Sequence, residues 1–188
     1  MRNLSFVFII MLCVAVPELS AQRCLPGMHG VQFTAGVDNS LNLQKGFQAG
    51  IAYSRYTKGA NRWIAGVEYL EKRHPYKNFT VPQSLFVADA GYYLKFLSDP
   101  AKMFFVSAGA SATAGYETIN WNEKMLPDGA TLNNRDAFLY GGALMLETET
   151  YLTDRLVLLA SVRERILMGS SVGKLHTQFN LGLRFMIN

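Results

Sequence analysis

Leu175-His176-Thr177-Gln178-Phe179-Asn180-Leu181-Gly182-Leu183-Arg184-Phe185-Met186-Ile187 alternates almost without a break between apolar residues and polar or small ones. Leu175, Phe179, Leu181, Leu183, Phe185 and Ile187 share one parity, interrupted only by Thr177. His176, Gln178, Asn180, Gly182 and Arg184 share the other, with Met186 as its one apolar member. Side chains of an extended strand point to opposite faces in turn, so this is a strand with one oily and one wet face. A closing strand needs a partner, and the expected one is the first strand of the chain.

The same period recurs in seven earlier segments. Val31, Phe33, Ala35 and Val37 alternate with Gln32, Thr34, Gly36 and Asp38, and Phe47, Ala49, Ile51 and Tyr53 alternate with Gln48, Gly50, Ala52 and Ser54. Arg62 to Arg73 sets Trp63, Ala65, Val67 and Tyr69 against Ile64, Gly66, Glu68 and Leu70. Further segments centre on Phe86 to Phe96, Lys102 to Tyr116, Phe138 to Glu149 and Leu156 to Arg165. Interleaved Gly and Ser argue for a strand even in the alanine-rich piece Ala108 to Ala114.

The connections carry a second signal. Thr57 to Asn61, Leu97 to Ala101 and Leu152 to Asp154 are tight and hold turn residues. Asn39 to Gly46, His74 to Gln83, Glu117 to Arg135 and Leu167 to Gly173 read as longer loops. Short turns at one end and longer loops at the other are the asymmetry of an outer-membrane barrel. The expected fold is therefore an all-β, eight-stranded antiparallel up-and-down transmembrane β-barrel.

The composition of the two faces decides which one points outward. One is apolar and places Trp63, Tyr69, Phe86, Phe96, Phe104, Tyr116, Phe138 and Phe185 near strand ends, where aromatic girdles sit. The other is rich in small residues and carries charges. Eight strands enclose a space only wide enough for side chains to fill, which suits the second face. The competing structure is a secreted barrel turned the other way, with a hollow, mainly apolar interior that binds a small molecule or lipid.

Composition narrows the role further. Arg2, the apolar run Phe6 to Val16 and Leu19-Ser20-Ala21 predict a secretory signal peptide over residues 1–21, leaving 22–188 as the barrel domain. Cys13 leaves with it, so Cys24 has no internal disulfide partner and is either free or cross-linked to another chain. The net charge of +4 comes without a dense Lys and Arg cluster, so no direct nucleic-acid binding is expected.

By parity Asp89, Glu147, Glu149, Arg163, Arg165 and Arg184 face inward. Buried charges must be paired, so Glu147 or Glu149 is expected to meet Arg163 or Arg165, with Arg184 nearby. His29, His74 and His176 lack metal-ligand spacing, and no cofactor is expected. A rim enzyme would have to pair His74 with Ser84, or His176 with Ser170 or Ser171, which the spacing does not demand; a non-enzymatic role is expected. The stretch Glu117 to Arg135 carries Trp121, Met125 and Leu126, residue types suited to a protein contact. Cys24 is the other partner-contact candidate.

The block Ala21-Gln22-Arg23-Cys24-Leu25-Pro26-Gly27-Met28-His29-Gly30 resembles the start of the TraO family of conjugative-transposon transfer proteins. Phe179-Asn180-Leu181-Gly182-Leu183-Arg184-Phe185 is similar to that family's end. The resemblance implies a place in the cell-envelope part of a mating apparatus that moves DNA between bacteria, and with the signal peptide cleaved and the barrel fold the expected location is the bacterial outer membrane. Its partners would then be outer-membrane lipid and other proteins of the conjugation machinery, for which it would act as anchor or scaffold. It supplies no catalytic residues.

Overall fold

In lipid every backbone N–H and C=O must be satisfied within the protein, and a sheet achieves this only by closing on itself. The strands do close. The computed structural model describes residues 24–38, 46–76, 79–123, 125, 131, 136–169 and 175–187, so the signal-peptide stretch lies outside the described residues. Eight antiparallel strands follow chain order around the barrel: β1 (His29–Asp38), β2 (Gly46–Tyr56), β3 (Arg62–Tyr76), β4 (Phe79–Ser98), β5 (Phe104–Ile119), β6 (Ala137–Tyr151), β7 (Leu156–Met168) and β8 (Leu175–Ile187). The quoted segment is β8, and it zips to β1 from His29↔Ile187 to Asp38↔Gln178.

The apolar parity faces outward. Leu144, Leu146, Leu158, Val162, Leu181 and Leu183 are exposed, while Arg62, Glu147, Glu149, Arg165, His176 and Arg184 are buried. Aromatic residues line up by register into a belt at the loop end: Tyr69 pairs with Phe86, Phe86 with Tyr116, and Tyr116 with Phe138. Trp63 packs against Tyr92 toward the turn end, the rings tilted with centroids 4.7 Å apart. Oily outside, charged inside and belted by aromatics, the barrel has the arrangement a bilayer requires.

One connection departs from the expected alternation of short and long. The stretch His74 to Gln83 is not a loop, because β3 and β4 stay paired out to Tyr76↔Phe79. Pro75 and Pro82 are what made it read as one. Pairing of β3 to β2 stops at Lys72, and pairing of β4 to β5 stops at Gln83, so both prolines sit where the hairpin has outgrown its neighbours. No further ladder bond is asked of their missing N–H groups, and edge positions tolerate proline. The hairpin therefore projects beyond the barrel wall. At the opposite end β4 carries a bulge between Lys95 and Leu97 and runs on to Ser98.

Leu181 lies mid-strand on the outer face, paired with Ala35 and Ala160 and 66% exposed. Leu181→Arg should cost about 2–4 kcal/mol if that face meets the bilayer core. Denaturant unfolding of the barrel in vesicles measures this, and an unchanged midpoint would mean that the residue does not contact lipid.

Candidate functional site

The inward face of β3 alone samples the lumen from one end to the other: Arg62, Ile64, Gly66, Glu68, Leu70, Lys72. Each of these except Gly66 belongs to a layer completed by other strands.

Arg62, at the turn end, lies in a tetrad with Glu147, Glu149 and Arg184, all at most 2% exposed. Arg62 donates to Glu147 Oε1 at 2.6 Å and pairs with Glu149 Oε1 at 2.9 Å. Arg184 reaches Glu147 Oε1 at 2.9 Å and also pairs with Glu149. Gln32 Oε1 accepts from Arg184 Nε and Nη2 at 3.0 and 2.6 Å, and the Arg62 guanidinium lies 4.9 Å from the Tyr93 ring centre. Two cations and two anions cancel within this layer.

Glu68 belongs to a second tetrad with Asp89, Arg163 and Arg165. Arg165 Nη2 donates to Glu68 Oε2 at 2.8 Å and to Asp89 Oδ2 at 2.7 Å. Arg163 bonds Glu68 and reaches Asp89 Oδ2 at 3.3 Å, while Thr113 donates to Asp89 Oδ1 at 2.6 Å. Near the loop mouth Lys72 Nζ pairs with Asp38 Oδ2 at 2.5 Å and donates to His176 Nδ1 at 2.7 Å. Gln83 donates to the buried Glu117 at 3.0 Å there.

Apolar layers separate the charged ones. Leu70, Leu85, Val87, Leu139 and Leu167 cap the second tetrad. Ile64, Tyr93 and Met145 lie between the tetrads, where the remaining cavity holds about 20 Å³, room for one water. At the turn end Cys24, Tyr56, Phe105, Tyr151, Val157, Leu159 and Met186 form a base plug. Met186, the apolar exception on the wet face of β8, is part of that plug. Among the described residues the lumen is filled by these layers rather than hollow and apolar as a ligand-binding barrel needs.

All six sequence-assigned lumen charges face inward, but their pairing differs from the expectation. Glu147 and Glu149 bond Arg62 and Arg184, whereas Arg163 and Arg165 bond Glu68 and Asp89. Register is the reason. Arg163 pairs with Met145 and Arg165 with Ala143, so both lie further toward the loops than the β6 carboxylates and reach across the lumen to β3 and β4. Arg62 was missing from the assigned network because it stands directly after a turn, where parity has barely begun.

The partner-contact candidates divide. Trp121 and Met125 are 62% and 73% exposed, Trp121 in a short 3-10 turn after β5 and Met125 in an isolated bridge to Thr131. Leu126 lies outside the described residues. Cys24, offered as a partner contact, is buried, with its Sγ 3.0 Å from the Tyr151 hydroxyl. The segment carrying it is tied to β2 by Gly27 N–H to Tyr56 O at 2.9 Å and Tyr56 N–H to Met28 O at 2.8 Å. Burial pushes the thiol up from 9.0 to about 11. His74 bonds Gln83 while Ser84 meets Tyr69, on opposite faces of the wall, so that pairing is not formed. His176 is buried in the lumen, and Ser170 and Ser171 lie outside the described residues. No group of three or more His, Cys, Asp or Glu among the described residues is arranged to hold a metal ion.

The sequence pattern of the family described as conjugative transposon protein TraO matches residues 25–187. No curated protein matches the sequence. Among solved structures, Neisserial surface protein A superimposes with a TM-score of 0.59 at 16% identity, covering 84% of this chain and 96% of that one. The N-terminal β-barrel domain of Pseudomonas aeruginosa OprF gives 0.53 at 12% identity over 86% of this chain and 98% of its own. The attachment invasion locus protein Ail of Yersinia pestis gives 0.53 at 9% identity, covering 87% of this chain and 100% of that one. At these identities the likeness is one of fold.

Removing one member of a buried ionic layer leaves an uncompensated charge. Arg62→Met should destabilise the barrel by about 3–5 kcal/mol, and adding Glu147→Gln should recover much of that; unfolding in vesicles decides, and additive losses would contradict the tetrad. Only a thiolate attacks maleimide. Cys24 should therefore resist modification at neutral pH in the folded barrel, react faster as pH climbs toward 11, and react fully on unfolding. Prompt labelling of the folded protein at pH 7 would mean that the base plug is open.

Proposed function

The chain belongs to the TraO family of conjugative transposon proteins, and from that premise we propose that it works in the outer membrane as a non-enzymatic anchor or scaffold for other envelope parts of the mating apparatus. The observation that carries this reading is a wall apolar outside and a lumen filled by two neutral ionic layers between apolar plugs. Such a barrel offers lipid a large surface and offers DNA no passage.

In this reading residues 1–21 direct export and are removed, and residues 22–188 insert. The contact surface is the segment after β5, where Trp121 and Met125 are exposed; large exposed side chains of this kind serve as anchors in protein contacts. The 3-10 turn Asn120–Asn122 that opens this segment packs beside β4, whose projecting hairpin with β3 extends the same rim. Cys24 contributes from the other end by fastening the chain's entry to the barrel base.

The test spares Glu117 and Ile119, which are buried in the barrel. Residues 124–135 are replaced by a short Gly/Ser turn and Trp121 by Ala, with heat-shifted gel mobility confirming that the barrel still folds. Transfer frequency should fall at least about tenfold, the worth of one good anchor, and co-purification of other transfer proteins should fall with it. Unchanged transfer and unchanged co-purification would sink the scaffold reading.

A further inference from the structure

The oily parity of β8 is broken once, at Thr177, and the structure supplies the reason. Thr177 pairs with Glu164 of β7, which pairs in turn with Leu144 of β6. Arg163 and Arg165 point into the lumen, so Glu164 points out, on the face where Val162, Ile166 and Leu144 are exposed. Thr177 donates to Glu164 Oε2 at 2.6 Å. Glu164 lies two outward positions below Met168, which pairs with Tyr140 near the loop-end aromatic belt. The carboxylate is therefore inside the apolar band.

The other outward charges of the described strands stand at its margins. Arg55 pairs with Trp63 at the turn end, and Glu71 and Arg73 bond each other beyond Tyr69. Among the described residues Glu164 is thus the one charge that the band itself carries. Ionisable groups at that depth are costly, and when present they mark a functional contact.

The surface beside it is indented. A groove of about 420 Å³ runs over Ala110 and Gly142 and is walled by Leu144, Glu164, Ile166 and Met168. Gly142 leaves it deep, since a Cβ there would meet only the Ser111 carbonyl at 3.2 Å.

We propose that this groove is an intramembrane docking site for an apolar segment of another protein that brings a Lys or Arg side chain to Glu164. Charge complementarity selects this occupant. A second copy docked face to face would set carboxylate against carboxylate, and the described part of the outer face has no cation at this depth to relieve it. Lipid tails fill the groove but leave the charge uncompensated. The small-residue floor lets a partner backbone approach closely, as in packed membrane helices. The site rests on the reading that the outer face meets lipid.

The test uses the barrel inserted in phosphatidylcholine vesicles and a dansyl-labelled Leu/Ala peptide of about 20 residues, with a central Lys or a central Gln. Binding is read as energy transfer from Trp63 and Trp121. The Lys peptide should bind about tenfold more tightly than the Gln peptide. Glu164→Gln, which keeps an acceptor for Thr177, should abolish that preference, and Gly142→Leu should weaken both peptides. Equal affinity of the two peptides, no binding of either, or a preference that survives Glu164→Gln would overturn the proposal, as would a barrel dimer that excludes the peptide. Heat-shifted gel mobility reports insertion separately; a barrel that does not insert overturns the lipid-facing reading, and the docking site with it.

Discussion

Arg62, Arg163, Arg165 and Arg184 are buried with Glu68, Asp89, Glu147 and Glu149 in a lumen only wide enough for side chains to fill, and their mutual neutralisation governs how the strands fit together. The charges are arranged as two tetrads of zero net charge, Arg62 with Glu147, Glu149 and Arg184, and Glu68 with Asp89, Arg163 and Arg165. Each tetrad draws on at least three strands, so correct pairing requires all their registers at once. A slip of one residue on β3 would turn Arg62 and Glu68 into lipid and strand their partners inside. The ionic layers thereby specify the barrel more than they stabilise it, since a buried pair replaced by apolar residues of similar volume is often no less stable.

This arrangement shapes what the protein is suited to do. A lumen tied across by ion pairs and closed by leucines at one end and by the Cys24–Tyr151 plug at the other resists deformation. A stiff, filled barrel suits the proposed role of a fixed point in a membrane, and the proposed contact surfaces lie on its outside: the rim with Trp121 and Met125, and the indented face at Glu164.

Much of the fold was legible in the sequence, because a period of two is imposed by backbone geometry and survives any tertiary context. All eight strands followed from it, and the direction of the faces followed from their composition, the small and charged side fitting a narrow lumen. The β3–β4 hairpin did not, since Pro75 and Pro82 signal a loop unless one knows that the neighbouring strands have already ended. Six members of the ionic network were legible by parity, but Arg62 and Glu68 were not among them, and the partners were not legible at all. Pairing across a lumen depends on strand tilt and register, which Glu147 and Arg163 do not encode in their spacing. The burial of Cys24 was not legible, because it is produced by residues far along the chain, Tyr151 and Met186 among them. Thr177 was visible as an irregularity, and its meaning needed Glu164 beside it.

A barrel filled by paired charges and sealed by apolar plugs should conduct nothing when it sits in a membrane. Planar-bilayer recording from the purified, refolded protein tests it most directly. The expected result is a silent membrane after insertion, with insertion verified by heat-shifted mobility of the recovered protein. Stable stepwise conductance at neutral pH would contradict it, and would mean that the tetrads open into a pore.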